Sequence, residues 1–105
     1  MYIFKAGVLG AGAMGAEIAQ VISFSGLPVV LKDVNDELVN KGLGRIRKIY
    51  QSRVDKGKMS SSDLESKMSL VEGTTSYDGF KDVDIVIEAI PEVMELKRKV
   101  FADLD

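Results

Sequence analysis

Apolar positions along the chain alternate between two rhythms. Ile3 to Leu9 is a nearly unbroken apolar run, interrupted by Lys5 and Gly7 and ending at Gly10, as expected of a parallel strand buried on both faces. From Ala13 the period lengthens: Met14, Ile18, Val21 and Ile22 recur at helical spacing until Gly26 and Pro28 close the segment. Val29, Val30 and Leu31 form a second short run that ends at Lys32 and Asp33. Strand, helix and strand in this order predict a right-handed crossover.

A longer helical stripe follows through Val39, Leu43, Ile46, Tyr50 and Val54, despite Gly42 and Gly44, and stops at Gly57. Ser62-Asp63-Leu64-Glu65 reads as a capping box that opens a short helix through Met68. The two helices make a hairpin, expected to stand out from the sheet as a surface for a ligand or partner, or to serve as a packing arm. Leu70 to Thr74 is a third, weaker strand, and Val83 with Ile85 to Ile87 a fourth, joined by a loop at Tyr77 to Phe80. Pro91 stands where a helix can begin, and Val93, Leu96, Val100 and Leu104 carry a helical stripe to the final residue. The pattern predicts an α/β domain spanning residues 1–105: a partial doubly wound parallel sheet with helices on both faces and one edge left incomplete. An open edge invites self-association.

Composition narrows the chemistry. A chain of 105 residues holds one domain, and 46% hydrophobic with 29% charged residues fits a globular core. The net charge of −2 supplies no basic field for nucleic acid or anionic lipid. With no cysteine and no histidine, thiolate metal sites, a cysteine nucleophile and an imidazole base are all excluded from these residues. The opening residues lack a signal-peptide pattern and no apolar run spans a bilayer, so a cytoplasmic location is expected.

Three strand ends carry the remaining signal. Gly10-Ala11-Gly12-Ala13-Met14-Gly15 is a G-x-G-x-x-G that leaves a predicted strand and enters a predicted helix. Gly10 permits the tight turn, Gly12 lets backbone approach a pyrophosphate, and Gly15 lets helix and sheet pack closely. The helix N-terminus offers N–H groups and partial positive charge to an anion. A glycine turn without a ligand is the alternative. Asp33 follows Gly15 by eighteen residues and ends the second strand, where a carboxylate accepts bonds from an adenosine ribose and repels a 2′-phosphate. This favours NAD over NADP, slightly weakened by the cation at Lys32, while a helix-capping Asp33 is the competing role. Glu88 to Glu92 with Lys97 lie after the fourth strand; Glu92 and Glu95 suit the first turn of a helix, and taken alone these residues need no ligand. Lys56 and Lys58 on the hairpin read alone as solvated lysines.

The stretch KAGVLGAGAMGAEIA at Lys5 to Ala19, LKD at Leu31 to Asp33 and VIEAIPE at Val86 to Glu92 together resemble the 3-hydroxyacyl-CoA dehydrogenase family. The likeness is strongest to the dehydrogenase portion of multifunctional fatty-acid β-oxidation proteins. It implies a Rossmann-like NAD-binding domain in which Gly10, Ala11, Gly12, Ala13, Met14 and Gly15 cradle the pyrophosphate and Asp33 holds the ribose. It further implies cofactor contacts from Ala89, Glu92 and Lys97, and a coenzyme A contact from Lys56. The acyl-CoA substrate belongs to the full-length protein. The family's catalytic histidine and its companions correspond to positions beyond Asp105, so the resemblance implies a binding portion that lacks the base. Two other readings remain open: a stand-alone module that senses NAD(H) or regulates a partner, and an FAD- or NADP-dependent Rossmann enzyme.

Overall fold

The computed structural model describes residues 5–89 and the backbone of residues 94–98. Four short strands, β1 (Ala6–Leu9), β2 (Val29–Lys32), β3 (Val71–Thr74) and β4 (Ile85–Ala89), run parallel. A fifth, β5 (Met94–Arg98), pairs antiparallel with β4, giving the spatial order β3-β2-β1-β4-β5. Between them run α1 (Ala13–Phe24), α2 (Asp36–Asp55) and α3 (Ser61–Met68).

The handedness of the crossovers explains which face each connection covers. From β1 through β2 to β3 the chain steps in one direction across the sheet, so right-handed crossovers place α1, α2 and α3 on the same face. From β3 it doubles back past β2 and β1 to β4, which sends the connection over the opposite face. That return carries no α-helix but a single 3-10 turn, Tyr77–Phe80, where the sequence had predicted a loop. The expected two-sided covering by helices is therefore one-sided among the described residues. Side-chain alternation follows the same division: Ala6, Val8, Val29 and Leu31 join the helices in the larger core, whereas Val30 packs with Phe80 and Val83 beneath the turn.

α1 shows why a periodic stripe predicts a helix better than it predicts the buried face. The residues covered are Gly15, Ala16, Ala19, Gln20 and Ser23, while Val21 and Phe24 stay exposed and Ile18 and Ile22 pack only partly against the core. Small side chains let α1 lie close to the sheet and leave space for Tyr50 from α2. In α2 the predicted stripe holds, with Val39, Ile46 and Tyr50 buried. Gly42 is buried there too, because a Cβ would meet Ala11 and Leu31. The hairpin thus packs one face along α1 and leaves the other open. Arg47 of α2 holds Glu65 of α3 with two bonds of 3.0 and 3.3 Å, each charge moving the other's titration outward: the Arg47 pKa is raised and the Glu65 pKa lowered.

Two sequence expectations are corrected. The cap of α3 is Ser60, whose hydroxyl accepts from the Asp63 N–H at 3.0 Å, not Ser62. Residues 94–98, expected within a helix, form β5 instead, which places Glu95 and Lys97 on a strand opposite Glu88 and Val86. An unpaired β4 edge would expose a row of backbone donors and acceptors, and β5 satisfies them. The helix start at Pro91, and the stripe residues Val93, Val100 and Leu104, lie outside the described residues. Among the described residues no helix is long and apolar enough to cross a membrane.

The helical layer is pinned by a buried polar cluster. Ser23 Oγ and Tyr50 Oη lie 2.6 Å apart, and both reach the Gln20 carbonyl oxygen, at 2.9 and 3.0 Å. Burial pushes the Tyr50 phenol above its ordinary value, against the opposing pull of these bonds. A raised folded value stabilises the protein fully below the unfolded tyrosine value of about 10, and that contribution is lost as pH climbs past it. Tyr50→Phe is expected to cost about 1 kcal/mol at neutral pH and to remove this part of the alkaline loss, measured by urea unfolding of both proteins between pH 7 and 11.

Candidate functional site

β1 and β4 are adjacent and parallel although the chain between them steps first to β2 and β3 and then doubles back, and a crevice opens at their carboxyl ends. The turn after β1 is shaped by close backbone approach. Gly10 has φ 103° and donates its N–H to the Lys32 carbonyl at 2.8 Å, and a side chain on it would drive into the carbonyl oxygen of Ala89. A side chain on Gly15 would overlap the Gly10 carbonyl oxygen and touch the Ala89 methyl. Gly12 differs: a Cβ there would meet nothing within 4 Å, so this residue faces the open crevice.

α1 begins at Ala13 with Gly12 as its cap, and no side chain caps it. Its first turn holds no acidic residue, so no side chain of the helix itself compensates the positive end of its dipole. Across the crevice stands Asp33. One carboxylate oxygen accepts from the Ala11 N–H at 2.8 Å and the other from the Val34 N–H at 2.7 Å. Asp33 does not cap α2; Asn35 does, accepting from the Leu38 N–H at 2.9 Å. Each carboxylate oxygen carries two lone pairs, so capacity remains for an incoming hydroxyl. Gly10, Gly12, Ala13, Met14, Asp33, Leu38 and Ala89 line a cavity of about 560 Å³. A smaller one of about 270 Å³ adjoins it, walled by Leu9, Gly10, Lys32, Asp33, Val34, Tyr77 and Glu88.

Of the positions singled out in the sequence, Gly10 to Gly15, Asp33 and Ala89 come together here. Ala89 contributes its carbonyl and methyl as the far wall. Glu92 lies outside the described residues, and Lys97 is placed only by its backbone, opposite Val86 on β5. Lys56 is elsewhere, at the C-terminal end of α2.

Lys56 lines the larger groove between α1 and α2, of about 770 Å³, with Arg45, Lys48, Arg53 and Lys58 against the single acid Glu17. Sequence reasoning singled out Lys56 and Lys58 but missed Arg45, Lys48 and Arg53. The signal was present: Arg45, Lys48, Ser52 and Lys56 recur every three or four residues on the helix. Ala13 opens this groove and also lines the crevice, so the two cavities share the N-terminus of α1. Five cations facing one carboxylate favour a polyanion. Among the described residues, no group of three or more potential metal ligands is assembled.

Comparison with known proteins matches residues 5–105 to the family model described as 3-hydroxyacyl-CoA dehydrogenase, NAD binding domain. The peroxisomal fatty acid beta-oxidation multifunctional protein MFP2 of Arabidopsis thaliana is 46% identical over 103 residues, covering 98% of this chain and 14% of that protein. The fatty acid oxidation complex subunit alpha of Colwellia psychrerythraea is 38% identical over 101 residues, 96% of this chain and 14% of that one. Among solved structures, the (S)-3-hydroxybutyryl-CoA dehydrogenase of Ralstonia eutropha superposes with a TM-score of 0.83 at 39% identity, covering 88% of this chain and 32% of that one. The chain therefore spans about one seventh of these curated relatives.

Proposed function

Because the chain belongs to the 3-hydroxyacyl-CoA dehydrogenase family and is its NAD-binding domain, we propose that the β1–β4 crevice holds NAD and that the whole protein oxidises a 3-hydroxyacyl-CoA to the 3-ketoacyl-CoA in fatty-acid β-oxidation. The observation that carries the site assignment is the bare N-terminus of α1 facing the Asp33 carboxylate across one cavity. The residues fit the cofactor: an open backbone surface at Gly12 for a diphosphate, and a carboxylate with spare lone pairs for a sugar diol. When bound, NAD supplies the hydride acceptor.

Each residue then has a physical task. The turn Gly10-Ala11-Gly12-Ala13-Met14-Gly15 brings backbone and helix dipole to the pyrophosphate, with Gly10 and Gly15 making the approach geometrically possible. Asp33, oriented by the Ala11 N–H, accepts from the adenosine ribose hydroxyls and disfavours a 2′-phosphate. Ala89 closes the crevice from β4, and the family resemblance adds cofactor contacts from Glu92 and Lys97. Lys56, with the cations along the groove, attracts the phosphates of coenzyme A. These 105 residues contain no histidine, and on this reading the group that takes the hydroxyl proton is supplied from outside them. A cytoplasmic location and self-association belong to the same reading, with cell fractionation and sedimentation at several concentrations as their checks; the β4 edge first expected to carry the self-association is covered by β5.

Calorimetric titration tests the cofactor assignment. NADH binds saturably, and Asp33→Ala weakens it about tenfold, or ~1.4 kcal/mol; an unchanged affinity overturns the ribose role. Titration with coenzyme A tests the groove separately: Lys56→Glu weakens binding about fivefold, the effect of roughly 1 kcal/mol of exposed charge interaction, and the loss shrinks in high salt.

A further inference from the structure

Lys32 and Asp33 are neighbours of opposite charge at the end of β2, and both line the smaller cavity. A flexible lysine beside a carboxylate would ordinarily compensate it. Here no ion pair joins them. The Lys32 side chain is only 9% exposed, and its Nζ stands over the ring of Tyr77, 4.2 Å from the centroid. Strand alternation puts Lys32 on the face of Val30 and the 3-10 turn, while Asp33 is tied toward the glycine turn by the Ala11 N–H.

Tyr77 is held in place although its side is 68% exposed. It opens the Tyr77–Phe80 turn, which Ser76 caps by accepting from the Asp78 N–H at 3.0 Å. Its ring stands edge-on to Phe80, with centroids 6.3 Å apart and planes at 84°. Phe80 is buried with Val30 and Val83, so the platform under Lys32 is anchored in the smaller core. A positioned ring of this kind attracts an ammonium most strongly where water is partly excluded, as around a buried lysine.

We infer that Tyr77 is a positioning residue for dinucleotide choice: by parking the Lys32 ammonium on its ring, it keeps that cation off Asp33. The carboxylate then retains its full negative charge against a 2′-phosphate and its lone pairs for the ribose hydroxyls. This rests on the ribose role of Asp33 proposed above. Freed from the ring, Lys32 would swing to Asp33, weakening the grip on NAD and softening the repulsion of NADP.

The test is titration of NADH and NADPH into the chain and its variants. Tyr77→Ala narrows the preference for NADH over NADPH by about fivefold. Tyr77→Phe, which keeps the ring, preserves the wild-type ratio, and Lys32→Met placed on Tyr77→Ala restores it. The inference is overturned if Tyr77→Ala leaves the ratio unchanged, if both affinities fall together as a purely structural loss would cause, if Tyr77→Phe behaves like Tyr77→Ala, or if Lys32→Met fails to restore the preference. Asp33→Ala in the same series separates the two claims. If it leaves NADH affinity intact, the ribose role itself fails; if it weakens NADH while Tyr77→Ala leaves the ratio alone, only the parking role fails.

Discussion

The structure turns on a close approach of backbone to backbone where β1, α1 and β4 meet. Gly15 lies against the Gly10 carbonyl, and Gly10 lies against the Ala89 carbonyl, with room for no side chain in either place. This contact sets how near α1 starts to the end of the sheet, and hence where its uncapped N–H groups point. A bulkier residue at either glycine would push the helix away and widen the crevice that Gly12 borders. The same approach brings Ala11 within reach of Asp33, so one 2.8 Å bond fixes the turn and orients the carboxylate.

From that junction the handed crossovers distribute the chemistry. Two successive steps in one direction stack α1, α2 and α3 on a single face, and α2 must then run beside α1. The exposed cations of α2 consequently face the flank of α1, and the basic groove shares Ala13 with the crevice beside the glycine turn. The reversed step to β4 sends the chain over the other face, where a four-residue turn supplies Phe80 to the core and Tyr77 to Lys32. Two surfaces of different character thus lie on opposite faces of one sheet.

The corrections share a cause. A helical stripe and a strand can both be written on a short mixed segment, and local pattern alone favoured a helix at residues 94–98. The competing term is the unpaired outer edge of β4, which exists only once the sheet has formed. The shift of the α3 cap from Ser62 to Ser60 is of the same kind on a smaller scale, since three consecutive serines offer the same hydroxyl and the chain path selects among them.

Much of the fold is legible in residue type and spacing. Buried parallel strands need continuous apolar runs, and the glycine turn admits few backbone shapes, so β1, β2, the G-x-G-x-x-G turn and Asp33 were all marked by residue type and spacing. These are short-range constraints, and they act wherever the segment sits. Tertiary structure alone decided which face of α1 is buried, that Arg45, Lys48 and Arg53 join Lys56 in one groove, and that Lys32 rests on Tyr77, forty-five positions away. Those outcomes depend on the direction and handedness of the crossovers, which bring together side chains that no local period relates.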